Sequence, residues 1–342
     1  MGDISIEELS EFLSRHAPEL PPATALEKFP TGQSNPTYKL TCGAQAFVLR
    51  AKPPGPLLKS AHLVEREFRV MRALAESQVP VPQMITLAED EVSPLGRAFF
   101  IMELVDGRIF WDPAVPDVPK AERASLYDEM NRVLAALHEV NVESAGLSDF
   151  GKPGNYFVRQ LDRWSRQYLA SRAAPNVQMD RLIGWLEAHV PSDDGQVALV
   201  HGDFRLDNMI FAPDAPHVLA LLDWELSTLG HPLADLAYQC MQWRLPHDGG
   251  MRGLGGVDRA ALGLPEEAAY VANYCARRGI LPPDNWAFYL AFSFFRLAAI
   301  LEGVVSRARK GNASNPETAK TYAAAIPVLA GQANRIIDGD LT

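Results

Sequence analysis

Residues 200–211, VHGDFRLDNMIF, place several polar side chains between two short apolar runs. Asp203 and Asn208 are five residues apart in this segment, and Asp223 ends the apolar run HVLALLDW fifteen residues later. Asp203 can accept a proton from a hydroxyl, while Asn208 and Asp223 can offer a neutral and a charged oxygen to a divalent cation. This order of residues is used for phosphoryl transfer, which needs a base that orients the nucleophile and metal ions that neutralise the phosphates.

Each part of this pattern is weak by itself. An H-x-D-x-x-x-x-N match arises often by chance, a lone Asp at a strand end is usually a turn residue, and a surface loop can carry many polar groups. The three residues in this order, downstream of a strand-rich segment, are less readily explained by chance. We therefore predict that Asp203, Asn208 and Asp223 converge on one reaction.

The first third of the chain is predicted to be rich in strands. Residues 25–52 read as three strands separated by breaker residues, and RAFFIMELV, residues 97–105, is a further predicted strand. Residues 60–77 have helical periodicity, with Glu67 near the middle of the apolar face. A buried carboxylate requires a cation, and the preceding strand offers Arg50 or Lys52. The alternative is that Glu67 bends out to water.

The remainder of the chain is predicted to be mainly helical. Two short strands, QVALV and HVLALLDW, flank the opening motif, which we expect to lie in a loop between them. The helices with the clearest periodicity cover residues 119–140, about 155–172 and 178–190. A strand-rich first third followed by a helix-rich remainder predicts an α+β, two-lobed protein.

The composition limits the class of protein. The formal net charge is −10, from 42 acidic and 32 basic residues, which argues against a nucleic-acid binder because such proteins need a concentrated basic surface. The three cysteines are scattered without metal or disulfide spacing, and the N-terminal residues lack the features of a signal peptide. We therefore expect a cytoplasmic location. The oligomeric state stays open.

One apolar segment requires a membrane test. Residues 286–305, WAFYLAFSFFRLAAILEGVV, are long enough to span a bilayer. Arg296 and Glu302 lie within this segment, and each is costly in hydrocarbon. The sequence therefore favours a helix that is buried in the protein core, and no membrane partner is expected.

Several segments resemble a known family. VHGDFRLDNMIF and LLDWELSTLGHPLADLAY resemble phosphotransferases grouped with aminoglycoside and choline kinases, which are relatives of protein kinases. GQSNPTYKL, FVLRAKPPG, EREFRVMRAL, DGRIF and HGDFRLDN are similar to kinase-like domains fused to some acyl-CoA dehydrogenases. The resemblance covers about residues 25 to 310. It implies a protein-kinase-like fold with a small antiparallel-sheet N-terminal lobe, residues 1–104, and a large helical C-terminal lobe, residues 105–342.

The resemblance also implies roles for the residues of the opening motif. Asp203 is expected to be the catalytic base, and Asn208 and Asp223 are expected to bind Mg²⁺. Glu225 is expected near the substrate, where it supports the metal or its waters. His201 and Asp235 are expected to support the catalytic loop structurally.

ATP is the second cofactor that the resemblance implies, and its binding residues are expected in the first lobe. A turn that contains Gly32, Ser34 and Asn35 is expected to cover the phosphates, and residues 102–105 are expected to form the hinge that meets adenine. The implied nucleotide-binding residues are Gly32, Ser34, Asn35, Arg50, Glu67, Glu103 and Val105.

The sequence departs from the family pattern at two places. There is no full G-x-G-x-x-G motif, and Arg50 stands where the third-strand lysine is expected. Because Arg50 and Lys52 share a strand face, either can contact the triphosphate, although the register of the motif favours Arg50. A non-catalytic pseudokinase is conceivable on this ground, but the intact Asp203, Asn208 and Asp223 favour an enzyme.

The expected acceptor is a hydroxyl on a small molecule. Arg159, Arg163 and Arg166 line one face of the predicted helix NYFVRQLDRWSRQYL, where they form either a solvated face or a surface for an anionic acceptor. The resemblance makes a hydroxyacyl-CoA the leading hypothesis, with an aminoglycoside- or choline-type kinase as the alternative. A protein kinase is disfavoured because LDWELSTLGHPLADLA is too short for a long activation segment.

Overall fold

The structure is a computed structural model that describes residues 5–30, 35–55, 63–310 and 316–340. Gly32 and Ser34, which the resemblance implies in phosphate binding, lie outside the described residues. The chain divides into two compact units. The first unit comprises Met1–Arg108, Ala145–Leu147 and Asn208–Ser227, and the second comprises Ile109–Ser144, Ser148–Asp207 and Thr228–Thr342.

The first unit is built on a five-stranded antiparallel sheet with the strand order β1-β2-β3-β5-β4. The strands are β1 (Ala23–Lys28), β2 (Thr37–Cys42), β3 (Gln45–Ala51), β4 (Met84–Ala88) and β5 (Phe99–Glu103). Two helices accompany the sheet, α1 (Ile6–His16) and α2 (Val64–Leu74). The strands predicted over residues 25–52 and 97–105 are therefore present.

The two helices of the first unit pack on side chains that alternate along the strands. Leu49 belongs to the core cluster that contains Phe12 of α1. Phe100 points to the opposite face, where its ring lies 6.1 Å from that of Phe68 on α2. Because side chains alternate along a strand, Arg50 shares this opposite face and is directed toward α2.

Helix α1 begins at a side-chain capping interaction. The Ser5 side chain accepts a hydrogen bond from the Glu8 amide at 3.3 Å, which satisfies one of the first free amides of the helix. The sequence spacing of Ser5 and Glu8 is that of a capping box.

The second unit is mainly helical. Its helices are α3 (Lys120–Glu139), α4 (Tyr156–Ser171), α5 (Val177–Ala188), α6 (Leu233–Cys240), α7 (Arg259–Leu262), α8 (Glu267–Arg278), α9 (Trp286–Arg309) and α10 (Pro316–Ile337). Helix α9 packs against α4, α5, α6 and α10. By length and composition α9 can cross a membrane, but 89% of its apolar window is buried inside the protein, as predicted for a core helix.

Four short strands form two antiparallel pairs near the opening motif. Strand β6 (Ala198–Val200) pairs with β9 (Thr228–Gly230) in the second unit, and β7 (Met209–Phe211) pairs with β8 (Val218–Leu221) in the first. The prediction that two strands flank the motif was incomplete. The polar residues of the motif lie between β6 and β7. Strands β7 and β9 were not predicted, because three residues are too few to show a strand period.

Residues 208–227, which the sequence analysis assigned to the C-terminal lobe, pack within the first unit. The antiparallel sheet of one unit and the helices of the other agree with the predicted α+β class. The division into domains at residues 1–104 and 105–342 stays a prediction.

Candidate active site

A network of three charged side chains occupies the first unit. Arg50 Nε lies 3.0 Å from Glu67 Oε2, and Arg50 Nη2 lies 2.7 Å from Asp223 Oδ1. The Glu67 side chain is 1% exposed and that of Arg50 is 12% exposed, so water does little to screen the contact between these two side chains. One largely buried guanidinium therefore joins strand β3, helix α2 and Asp223, which lies two residues after strand β8.

Helix α2 positions Glu67 for this network because its apolar face is buried around it. Val64, Phe68 and Met71 share the buried side of α2 with Glu67. The helix packs on β4, β5 and the short 3-10 turn Trp224–Leu226, which directly follows Asp223. Of the two alternatives for Glu67, the structure has the inward one, and the partner of Glu67 is Arg50.

The electrostatics of the network follow from burial and from the sharing of one cation. Burial raises the pKa of the Glu67 carboxyl to about 7; Arg50 opposes this shift, and the negative charges of Asp223 and Glu225 add to it. Burial acts to lower the pKa of Arg50, but the charges of Glu67, Asp223 and Glu225 outweigh it and raise the pKa. Arg50 is therefore a permanent positive charge, surrounded by more carboxylates than it can neutralise.

Asn35 and Lys52 occupy different positions around this network. The Asn35 side chain is fully buried and donates a 2.9 Å hydrogen bond to Glu67 Oε1. Lys52 contacts Glu65 and lies 2.9 Å from Asp90 Oδ2, away from Glu67. Arg50 and not Lys52 is therefore the cation that reaches Glu67 and Asp223.

Asn208 and Asp223 are brought together by the β7–β8 pair. The Leu222 amide donates to the Asn208 carbonyl at 2.8 Å, which fixes Asn208 opposite the residue before Asp223. Asp223 has φ 65°, in the left-handed region that Asn and Asp tolerate better than most residues. Its side chain is 36% exposed, and Glu225 is also exposed.

The donors at Asn208 and Asp223 suit a hard divalent cation that keeps other ligands. An amide oxygen and a carboxylate are oxygen ligands of the kind that Mg²⁺ takes in combination with substrate phosphates and water. Within the described part of the chain, no cluster of three or more His, Cys, Asp or Glu side chains can hold a metal ion by itself. The residues present therefore fit a cation that a nucleotide helps to bind, and they do not form an all-protein cage.

Two predicted hinge residues lie at the end of strand β5. The Glu103 amide donates to the Gln83 carbonyl at 2.9 Å, and Glu103 Oε2 accepts from the Gln83 amide at 3.2 Å. Val105 follows the strand and is half-buried. The backbone amide of Glu103 is thus already used within the first unit.

Asp203 lies in the second unit, where a buried tyrosine contacts it. The Tyr238 hydroxyl donates a 2.7 Å hydrogen bond to Asp203 Oδ1, and Arg205 Nε lies 3.9 Å from the same oxygen. Burial raises the pKa of Tyr238 and the Asp203 charge adds to this shift, so the phenol stays protonated and donates. The Asp203 side chain remains 24% exposed and is accessible from solvent.

The backbone around Asp203 is held by a buried acid on α6. Asp235 accepts hydrogen bonds from the amides of His201 at 2.6 Å and Gly202 at 2.9 Å. The Asp203 amide in turn donates to His201 Nδ1 at 3.2 Å. Gly202 has φ 83°, a conformation that favours glycine. The geometry of this loop is therefore set by His201, Gly202 and Asp235.

Two residues that the sequence did not indicate support Asp235, His138 on α3 and Tyr274 on α8. His138 Nε2 lies 3.5 Å from Asp235 Oδ2, and His138 Nδ1 lies 2.6 Å from the Tyr274 hydroxyl. Burial lowers the pKa of His138, so this side chain is neutral at pH 7. No sequence pattern connects residues so distant in the chain, whereas Tyr238 has a weak signal because it lies one helical turn after Asp235.

The three arginines of α4 have local partners on the protein surface. Arg159 Nη1 donates to the Pro153 carbonyl at 3.3 Å, and Arg166 is ion-paired with Asp162 on the exposed face of α4. The guanidinium carbon of exposed Arg163 lies 5.0 Å from the centre of the Trp164 ring. Their contact with an acceptor stays a prediction.

The fold, the Arg50 network and the loop that carries Asp203 are those of a kinase-like phosphotransferase. Comparisons with known proteins place the chain in this class. Residues 25–277 match the phosphotransferase enzyme family (APH), and the chain belongs to this family. The predicted enzyme class, a phosphotransferase with an alcohol group as acceptor, is confirmed.

Two similar proteins share more than 45% of their aligned residues with this chain. A protein from Ralstonia eutropha, provisionally named an aminoglycoside phosphotransferase, superposes with a TM-score of 0.88 at 46% identity and covers 98% of this chain and 99% of its own. Acyl-CoA dehydrogenase family member 10 of Mus musculus is 48% identical over 291 residues, which are 85% of this chain and 27% of that protein. The chain thus spans about a quarter of the length of this curated relative.

A more distant structure shares the fold. A thermostable mutant of the aminoglycoside phosphotransferase APH(4)-Ia, solved in a ternary complex with ADP and hygromycin B, has a TM-score of 0.62 at 14% identity and covers 98% of this chain and 99% of its own. The predicted protein-kinase-like fold, with an antiparallel-sheet N-terminal part and a helical C-terminal part, is confirmed.

Proposed function

We propose that this protein is an ATP- and Mg²⁺-dependent O-phosphotransferase that transfers the γ-phosphoryl group to a hydroxyl on a small molecule. The observation that carries the proposal is the largely buried Arg50, which pairs with Glu67 and Asp223 at the same time. A buried cation with one carboxylate behind it and a second, partly exposed carboxylate beside it suits a nucleotide and its metal. An arginine also offers a fork of donors that matches phosphate oxygens.

ATP is proposed to bind in the first unit. Arg50 supplies positive charge to the phosphates. Glu67 accepts a hydrogen bond from Arg50 and is itself held by a hydrogen bond from Asn35. Gly32 and Ser34 are proposed to cover the phosphates, and Glu103 and Val105 to meet adenine. APH(4)-Ia has the same fold and was solved in a complex with ADP, which supports a nucleotide as the ligand of this chain.

Mg²⁺ is proposed to be held by the Asn208 amide oxygen and the Asp223 carboxylate. The ion would supply charge neutralisation between the phosphate groups when it is bound. Arg50 keeps Asp223 Oδ1 oriented by its 2.7 Å contact, and Glu225 is proposed to support the waters of the metal near the substrate.

Asp203 is proposed to be the catalytic base. Its carboxylate accepts a hydrogen bond from Tyr238, while the amides of His201 and Gly202 are fixed on Asp235. A carboxylate held in this way can orient the acceptor hydroxyl and take its proton as the new P–O bond forms.

The cytoplasm is the proposed location, in agreement with three cysteines that are free and buried.

A hydroxyacyl-CoA is the leading acceptor that we propose. The family name of the mouse relative supports an acyl-CoA compound, because the matched segment forms 27% of a protein named for acyl-CoA dehydrogenases. An aminoglycoside is the alternative, supported by the name of the Ralstonia eutropha protein and by the hygromycin B complex of APH(4)-Ia. Arg159, Arg163 and Arg166 are proposed to contact an anionic acceptor.

A substrate panel tests the proposed function. The protein is incubated with ATP and Mg²⁺ in the presence of hydroxyacyl-CoAs, simple alcohols and aminoglycosides, and phosphorylated products are identified by mass spectrometry. We expect one class of acceptor to gain a phosphoryl group, with ADP formed in equal amount. Asp223→Asn should abolish this product. A protein that binds nucleotide but phosphorylates no member of the panel would support the pseudokinase instead.

A further inference from the structure

Arg296 is a buried cation that has no negatively charged partner within the described residues. Its side chain lies on the core helix α9, and the residue is 5% exposed. Among the described residues it has no ion pair and no side-chain hydrogen bond, and its Nε is buried without an acceptor. Arg244, the other arginine of the described part that is buried to this degree, is ion-paired with Glu267.

Two aromatic rings flank the Arg296 guanidinium. Its central carbon lies 5.9 Å from the centre of the Trp164 ring and 5.7 Å from that of the Tyr238 ring. Such contacts stabilise a cation, but they satisfy none of its N–H groups. A buried charge without a hydrogen-bonded counterion is costly to the folded protein, so its presence indicates a ligand that supplies the missing negative charge.

The position of Arg296 connects it with the candidate base. Tyr238, whose ring faces Arg296, donates its hydroxyl to Asp203 Oδ1 at 2.7 Å. All four residues, Arg296, Trp164, Tyr238 and Asp203, belong to the second unit, and α9 packs directly on α4 and α6. The Tyr238 side chain thus contacts both Arg296 and the candidate base Asp203.

We infer that Arg296, with Trp164 and Tyr238 as its walls, is an anion-binding subsite for the phosphoryl acceptor. The acceptor is then a hydroxyl compound that also carries a carboxylate or a phosphate. A polycationic aminoglycoside is disfavoured, because its ammonium groups would be repelled by the Arg296 guanidinium. The inference rests on the proposed function, since it takes Asp203 as the base, and it narrows the class of substrate.

Three acceptors with the same hydroxyl test the subsite. 3-Hydroxybutyrate carries a free carboxylate, 3-hydroxybutyryl-CoA carries its anionic groups as coenzyme phosphates, and butane-1,3-diol carries no charge. Dissociation constants are measured by calorimetry and initial rates of phosphorylation by mass spectrometry, for the full chain and for Arg296→Met. We expect the variant to weaken binding of the acceptor that carries the recognised anion by about 10- to 100-fold, and to leave the diol unchanged.

Two further variants serve as controls. Arg172→Met removes an arginine that also lies over a tyrosine ring, Tyr168, but is ion-paired with Asp180, and it should leave acceptor binding unchanged. Arg296→Lys keeps the charge and should retain part of the affinity. Because Arg296 has no counterion in the part of the chain that the structure describes, we expect Arg296→Met to unfold at a temperature no lower than that of the unaltered protein in the absence of acceptor.

The outcomes separate the inference from the proposed function. If Arg296→Met loses affinity only for 3-hydroxybutyrate, the group bound at Arg296 is a carboxylate. If it loses affinity only for 3-hydroxybutyryl-CoA, the group is a coenzyme phosphate. If Arg296→Met binds both anionic compounds as well as the unaltered protein does, or if neither binds better than the diol, the subsite is refuted. Phosphorylation of an aminoglycoside or a neutral alcohol that is insensitive to Arg296→Met would keep the kinase and refute only the subsite.

Discussion

The hydroxyl of Tyr238 donates a 2.7 Å hydrogen bond to Oδ1 of Asp203. This contact joins helix α6 to the loop that carries the candidate base, and it fixes one oxygen of the carboxylate. The same helix supplies Asp235, which accepts the amides of His201 and Gly202. Helix α6 therefore positions both the backbone of the loop and the side chain of Asp203.

Removal of the Tyr238 hydroxyl is expected to lower the turnover number. Tyr238→Phe leaves Asp203 without its neutral donor, and we expect kcat to fall about tenfold with little change in KM for ATP, since a hydrogen bond to a charged group is worth about 1.5–3 kcal/mol. Steady-state kinetics measure the effect. Tyr127→Phe removes a buried hydroxyl bonded to the Pro113 carbonyl and is the control. Equal losses in both variants would show that Tyr238 acts only through packing.

Loss of the Arg50 cation is expected to affect both stability and nucleotide binding. Arg50→Met leaves the buried Glu67 without its counterion, and we expect the free energy of unfolding to fall by about 3–5 kcal/mol. Adding Glu67→Met should restore much of this stability without restoring ATP affinity. Chemical denaturation and calorimetry with Mg-ATP measure the two quantities separately.

Lys52 provides the matched control for Arg50. It lies two residues after Arg50, directly beyond the end of strand β3, but contacts Glu65 and Asp90. Lys52→Met should therefore change ATP affinity by no more than about threefold, as expected for a side chain outside the site. A larger loss for Lys52→Met than for Arg50→Met would assign the triphosphate contact to Lys52.

The buried His138 is expected to make stability depend on pH. Its pKa in the folded protein lies below the ordinary value of 6.5, so the unfolded chain binds the proton more readily. The contribution of His138 is therefore complete above about pH 6.5 and is lost as the pH falls through the folded-state pKa, by up to about 1.4 kcal/mol per pH unit.

Unfolding by urea at a series of pH values between 5 and 8 measures this dependence. His138→Asn should flatten the profile in the acid range, whereas His189→Asn, at an exposed histidine, should leave it unchanged. A profile of His138→Asn that retains the full acid slope would assign the proton uptake to another group.

The sequence was informative where chemistry or periodicity leaves a local signature. The spacing of Asp203, Asn208 and Asp223 indicated the reaction class. The helical arc around Glu67 left two alternatives, an inward carboxylate or one that bends out to water, and the structure has the inward one, paired with Arg50. Strands β1, β2 and β3 followed from their breaker residues. These features depend on neighbours in the chain, so a linear pattern contains them.

The remaining features depend on contacts between distant segments. The pairing of β6 with β9 joins strands of three residues, whose period is too short to recognise. The three arginines of α4 attracted attention because they share a face, yet each has a local contact on the surface. In the sequence, Arg296 served only to argue against a membrane-spanning helix. Its proposed role in binding follows from the folded core, where no counterion is found for it among the described residues.

The central claim is that Asp203 orients and deprotonates the acceptor hydroxyl, and single-turnover phosphorylation by Asp203→Asn tests it most directly. With Mg-ATP bound and the acceptor identified by the substrate panel, the rate of product formation is followed by mass spectrometry. We expect a loss of about 10²- to 10⁴-fold with unchanged affinity for Mg-ATP, because the asparagine keeps the shape but cannot accept the proton. Product formation at the rate of the unaltered protein would contradict the account.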